Sequence, residues 1–190
     1  MHVGLFFGSF NPIHVGHMIL ANYMASFTDL DQVWFVVSPQ NPLKQKSTLL
    51  DQNQRLHMVN LAIGDYPQFK SSNIEFGLSK PSYTIHTLAH LKEKYPNHRF
   101  SLIMGEDNLE SFPKWKNFEQ ILKNHLLYIY PRPHSNPGEL KHHPSVILTN
   151  APLIDISSTM IRNAIKEKKD VSCFVPSSVW KYLEEMNFYK

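Results

Sequence analysis

The stretch Val3-Gly4-Leu5-Phe6-Phe7-Gly8-Ser9-Phe10-Asn11-Pro12-Ile13-His14-Val15-Gly16-His17 decides how this chain is read. Its first five residues are an apolar run with the character of a buried strand. Behind it, Ile19, Leu20, Tyr23, Met24 and Phe27 recur at helical spacing within Met18–Phe27. A turn of small and polar residues therefore joins a strand to the start of a helix, and two imidazoles stand in it. The first backbone N–H groups of a helix have no partner inside it and favour anions. With His14 and His17 added, the turn is suited to phosphate and to phosphoryl chemistry.

Outward from this point the pattern alternates. Gln32–Ser38 is an apolar, β-branched run closed by Pro39. Asp51–Ile63 reads as a helix capped by Asp51, with Leu56, Val59 and Ile63 inward. Phe69–Phe76 reads as a strand and Ser82–Tyr95 as a helix with Ile85, Leu88 and Leu91 on one face. Arg99–Met104 is a strand ending at Gly105, Phe118–His125 a helix, and Leu126–Tyr130 and Val146–Thr149 strands. Ser157–Lys169 and Ser177–Asn187 close the chain as helices. Strand–helix alternation of this kind predicts an α/β, Rossmann-like, doubly wound parallel sheet with helices on both faces and a short C-terminal helical portion. One domain over residues 1–190 is the expectation from length. Ligands of such sheets bind beyond the carboxyl ends of the strands, where the Gly8 turn falls. Pro39–Leu50, with Lys44 and Lys46, and Arg132–Pro144, rich in Pro and His, read as loops.

Composition narrows the function. Hydrophobic residues make up 42% of the 190, enough for a sizeable core. No apolar run approaches the ~18 residues of a membrane span, and the strand-like beginning is unlike a secretory signal. Cys173 is the single cysteine, which rules out an internal disulfide and fits a reducing, cytoplasmic setting. The net charge of +3 is mild and scattered. Apart from the helix end Lys166-Glu167-Lys168-Lys169 there is no basic stripe with interleaved aromatics, so nucleic acid is not an expected partner. The sequence is as compatible with a homo-oligomer as with a single chain.

Neither the G-x-G-x-x-G dinucleotide motif nor the G-x-x-x-x-G-K-[ST] loop occurs. His14 and His17 have no third ligand at metal spacing, and no metal-ligating residues are expected. A second motif, Asp155-Ile156-Ser157-Ser158-Thr159-Met160-Ile161-Arg162, places three consecutive hydroxyls at a helix start with an arginine one turn on. One hydroxyl is explained by capping. Three with a guanidinium are suited to a polyphosphate.

Gly-Ser-Phe-Asn-Pro-x-His-x-Gly-His together with Ile-Ser-Ser-Thr-x-Ile-Arg resembles the H-x-G-H nucleotidyltransferase superfamily. Pro81-Ser-Tyr-Thr84, Met104-Gly-Glu-Asp107-Asn-Leu109, Phe112-Pro-Lys-Trp115, Tyr130-Pro-Arg132-Pro133 and Phe174-Val-Pro176 bring it closer to the bacterial nicotinate-nucleotide adenylyltransferases. That resemblance implies AMP transfer from ATP to the 5′-phosphate of nicotinate mononucleotide, with Mg2+ accompanying ATP. It implies His14, His17 and Arg162 as catalytic residues. ATP would lie against Gly8, Ser9, Phe10, His14, His17, Gly105, Asp107, Ile156, Ser157, Ser158, Thr159 and Arg162. The mononucleotide would meet Lys44, Thr84, Trp115 and Arg132, with Trp115 stacking on the pyridine ring and Thr84 at its carboxylate. Two departures stand out. Relatives often carry Pro-Pro-His-Lys where this chain has Asn41-Pro42-Leu43-Lys44, which leaves Lys44 and Lys46 as alternatives. Glu106 occupies a position where a neutral residue is expected. The alternatives are an amide-preferring or phosphopantetheine adenylyltransferase and a non-catalytic nucleotide-binding module.

Overall fold

The computed structural model describes residues 1–39, 49–79, 82–136 and 138–190. Lys44 and Lys46 lie outside the described residues. Six strands form one parallel sheet: β1 (His2–Gly8), β2 (Gln32–Val37), β3 (Phe69–Ser72), β4 (Arg99–Gly105), β5 (Leu127–Tyr130) and β6 (Val146–Leu148). Their order is β3-β2-β1-β4-β5-β6, the doubly wound arrangement whose strand order reverses at the centre. The switch point lies between β1 and β4, which pair in parallel from His2↔Arg99 to Phe6↔Ile103.

Strand period explains why both sheet faces are covered. Side chains alternate from face to face along a strand. Phe6, Val33, Phe35 and Val37 thus enter one core with α1 (Val15–Phe27), α2 (Gln52–Ile63), α6 (Ser158–Lys166) and α7 (Ser177–Glu185). Val3, Leu5, Trp34, Val36 and Leu102 enter the other, under α3 (Thr84–Lys94), α4 (Glu106–Ser111) and α5 (Phe118–Asn124). Asp51 caps α2 as its sequence requires, its carboxylate accepting from Asn53 N–H at 2.8 Å.

One expectation is corrected, and one helix is added. The strand read over Phe69–Phe76 stops at Ser72, and Ile74–Gly77 form a 3-10 turn that carries Glu75 into the interior. Leaving the strand lets the Glu75 carboxylate accept from Thr87 Oγ1 at 2.8 Å and Ser82 Oγ at 3.2 Å. The residues after Gly105 form α4 and a second 3-10 turn, Phe112–Lys114. That helix is under two turns long, too short for apolar periodicity to register.

Candidate active site

The turn after β1 is shaped by what its glycines leave open. A Cβ on Gly8 would stand 2.7 Å from the Phe10 ring, which is folded back beneath the turn with Phe10 at φ 46°. A Cβ on Gly16 would stand 2.7 Å from Ile154 Cγ2 and 3.1 Å from His14 Nδ1. Gly16 is therefore what allows α1 to start with the His14 ring folded against it and the chain before α6 packed on top. This is a physical reason for glycine inside H-x-G-H.

His14 is the N-cap of α1 and His17 its third residue. The His14 N–H donates to His17 Nδ1 at 3.2 Å. A neutral His17 ring therefore carries its proton on Nε2. The two rings lie 3.7 Å apart between centroids, and Phe10 packs edge-on to His17 at 5.1 Å. His14 is 5% exposed, and its Nδ1 has no hydrogen-bond partner among the described residues. Burial, with a smaller contribution from the Arg132 charge, lowers its pKa from 6.5 to about 4. The ring is neutral near pH 7 and can donate from one nitrogen only.

The second motif lands on this turn. Ser158 Oγ donates to the Pro12 carbonyl at 2.8 Å. Arg162 Nη1 donates to the Asn11 carbonyl at 2.9 Å, and Nη2 to Thr159 Oγ1 at 3.2 Å. Ser157 is the N-cap of α6, accepting from Met160 N–H. The three hydroxyls are thus not equivalent. Those of Ser157 and Ser158 hold structure, and what the motif presents to an anion is the first-turn N–H groups of Ser158 and Thr159 with the Arg162 guanidinium. Ile156 is half-buried against the core beneath.

At the switch point, Gly105 ends β4 opposite Tyr130 of β5. A Cβ there would press on Arg132 Cγ at 2.9 Å. Arg132 Nε stands 3.7 Å from Asp107 Oδ1, and the guanidinium lies 5.4 Å from the Tyr130 ring centroid. Glu106 accepts from Arg132 N–H at 3.2 Å and from Ser135 Oγ at 2.9 Å. The unexpected acid ties down the chain after β5, which accounts for its presence.

Thr84 and Trp115 lie over the opposite sheet face from the imidazoles. Thr84 is the first residue of α3, whose N-cap is Tyr83. Trp115 is half-buried with its ring 5.1 Å from Phe112. Lys116 Nζ sits 4.5 Å from the Tyr83 ring centroid, which draws the two segments together. Of the residues read as mononucleotide-facing, Thr84 and Trp115 are thus on the side of the sheet away from the imidazoles, while Arg132 stands beside Asp107, read as ATP-facing.

Sequence reading missed Arg55. It is wholly buried, and its guanidinium donates to the carbonyls of Leu50 (2.9 Å), Ser9 (2.6 Å), Ser38 (2.8 Å) and Pro39 (2.9 Å). A signal was available: Arg55 lies one turn before Val59 and two before Ala62, on the buried stripe of α2. A cation on an apolar stripe asks for buried acceptors. Asn11 and Tyr189, taken up below, were also missed.

A parallel sheet of this order, with a histidine-bearing turn at its switch point and a helix start docked onto it, has the architecture of a nucleotidyltransferase. The family model described as cytidylyltransferase-like matches residues 5–164. A Flavobacterium johnsoniae protein named "probable nicotinate-nucleotide adenylyltransferase" is 60% identical over 192 residues, covering 100% of both chains. A Bacteroides thetaiotaomicron protein of the same name is 48% identical, covering 97% of this chain and 92% of its own. The chain belongs to the cytidylyltransferase-like family and, within it, to the nicotinate-nucleotide adenylyltransferases. Among solved structures, the Plasmodium falciparum nicotinic acid mononucleotide adenylyltransferase complexed with NaAD superposes with a TM-score of 0.82 at 21% identity, covering 99% of this chain and 97% of its own. At that identity the likeness speaks for the fold.

Proposed function

We propose that the chain transfers AMP from ATP to the 5′-phosphate of nicotinate mononucleotide, giving nicotinate adenine dinucleotide and pyrophosphate, a step of NAD biosynthesis. The observation that carries this reading is the docking of the α6 start onto the His14–His17 turn at the switch point. It gathers imidazole, guanidinium and open backbone N–H groups where one triphosphate can meet all of them.

The chemistry is an in-line displacement. An oxygen of the acceptor phosphate bonds to the α-phosphorus of ATP, the bond from that phosphorus to the bridging oxygen breaks, and pyrophosphate leaves with the electron pair. The second pKa of the acceptor phosphate is about 6, so it attacks as an anion and no general base is needed. The work left to the protein is orientation and charge stabilisation. In this reading His17 Nε2–H donates to the α-phosphate and His14 donates beside it. Arg162 and the N–H groups of Ser158 and Thr159 hold the β- and γ-phosphates, and Gly8, Ser9 and Phe10 line the nucleotide through their backbone. Gly105 and Asp107 border the ribose, and Arg132 serves the acceptor side together with Thr84, Trp115 and Lys44.

Among the described residues no three His, Cys, Asp or Glu side chains gather as a metal site. Mg2+ would accompany ATP, held by phosphate oxygens and water, and would offset phosphate charge there. No described helix is long and apolar enough to cross a membrane, and a cytoplasmic location is part of the proposal.

The test is pyrophosphate release with ATP and, in separate reactions, nicotinate mononucleotide, its amide and phosphopantetheine. Turnover on the acid well above the other two is expected. Preference for either rival acceptor, or ATP binding with no turnover on any, would replace this reading.

A further inference from the structure

The last helix is followed by a tail whose penultimate residue reaches the signature turn. Tyr189 O–H donates to Asn11 Oδ1 at 2.6 Å, across 178 positions of sequence. The same oxygen accepts the Leu50 N–H at 3.2 Å. The Asn11 carbonyl in turn accepts from Arg162, and Asn11 is only 3% exposed. One residue inside the motif is thus the meeting point of the C-terminal tail, the approach to α2 and the guanidinium of α6.

We propose that Tyr189 is a positioning residue for adenylyl transfer: it fixes the Asn11 side chain, and through Asn11 the placement of Arg162 and of the His14–His17 turn. The inference rests on the function proposed above and deepens it.

An amide oxygen has two lone pairs, and the Leu50 N–H and the Tyr189 O–H occupy both; the side chain then has one orientation, and the backbone that carries the Arg162 acceptor is held with it. The hydroxyl is suited to that duty, because burial raises its pKa and keeps its proton, against the opposing charges of Arg162 and Arg55. The tail is also built to deliver it. Tyr189 lies at φ 65°, a left-handed conformation that tyrosine does not favour. The neighbouring Phe188 is anchored by its N–H on the Leu183 carbonyl at 3.1 Å and by its ring against Tyr182 at 5.6 Å. Packing alone would be served equally well by phenylalanine at position 189.

The test is therefore Tyr189→Phe, which keeps the ring and removes only the O–H. With nicotinate mononucleotide saturating, kcat/KM for ATP should fall about five- to tenfold, the worth of one neutral hydrogen bond. KM for the mononucleotide should be unchanged. ATP affinity measured by calorimetry without an acceptor should weaken in the same direction, a readout independent of which acceptor is used. In an Asn11→Ala background, Tyr189→Phe should add nothing, because its effect passes through that side chain. Wild-type values of kcat/KM and ATP affinity in Tyr189→Phe would overturn the proposal, as would the full loss reappearing in the Asn11→Ala background. Failure of the wild-type chain to make dinucleotide, with the ATP-affinity difference intact, would overturn the function and leave Tyr189 where it is placed.

Discussion

Arg162 and Asn11 are 151 positions apart and share a hydrogen bond of 2.9 Å between guanidinium and backbone carbonyl. Under the proposed function Arg162 has two duties, one toward the protein and one toward the triphosphate. Lysine keeps the charge but lacks the planar fork needed to serve both. Arg162→Lys should lower kcat/KM for ATP by about 10- to 100-fold, the range for a hydrogen bond to a charged group. Steady-state kinetics at saturating mononucleotide reads it. Ser158→Ala should cost stability more than turnover, since its hydroxyl is engaged with Pro12.

His14 sets a pH dependence. Its folded pKa of about 4 lies below the unfolded value of 6.5. Between those values the unfolded chain binds a proton that the folded chain refuses, so stability is fully present above pH ~6.5 and declines as pH falls toward ~4. For a ring this buried the loss amounts to roughly 3 kcal/mol. His2 and His125 are lowered by burial as well and act in the same direction. Comparing melting curves of the wild type with His14→Asn from pH 7 to pH 4 isolates the share of His14. The wild type should lose more on acidification. A bound triphosphate should raise the His14 pKa, visible as an upward shift of its ring titration by NMR.

Gly16→Ala should destabilise the fold by roughly 1–3 kcal/mol, the usual cost of an overpacked methyl. The new carbon meets Ile154 and His14. Displacing His14 should reduce turnover by more than the change in melting temperature accounts for. Ile154→Ala in the same chain should restore part of both, since it removes the nearer obstacle. Thermal melts and turnover on the single and double variants measure it.

Much of this was legible in sequence because it is local. The alternation that fills both cores is written in β1 and β2, where Phe6 and Phe35 point one way and Leu5 and Trp34 the other. The capped start of α2 and the turn before α1 were equally plain. The supporting contacts were not. The Ser158 hydroxyl reads as a phosphate ligand until its acceptor, the Pro12 carbonyl, is seen. Glu106 reads as out of place until Ser135 and the Arg132 N–H come to it. Asn11 and Tyr189 carry no joint signal, since a hydrogen bond over 178 positions depends on the whole path between them. Thr84 falls at a helix start as its sequence suggests, yet the half-burial of Trp115 against Phe112 comes with the 3-10 turn Phe112–Lys114, which sequence reading did not find.

Arg55 gives the sharpest stability test. It bridges four carbonyls from the Ser9 turn, the end of β2 and the approach to α2, with no exposure to water. Arg55→Met fills similar volume and leaves those acceptors without their donor. A buried acceptor left without a donor costs about 1–3 kcal/mol, so the methionine variant should lose at least that much stability. Arg55→Lys keeps a charge that reaches fewer of the four and should recover only part of that. Because Ser9 lies in the turn proposed to line the nucleotide, both variants should also weaken ATP affinity, the lysine variant less. Denaturant melts and ATP calorimetry on the two proteins check the order wild type, Arg55→Lys, Arg55→Met. A methionine variant as stable as wild type would mean that the four carbonyls find other donors and that the guanidinium does not hold the turn.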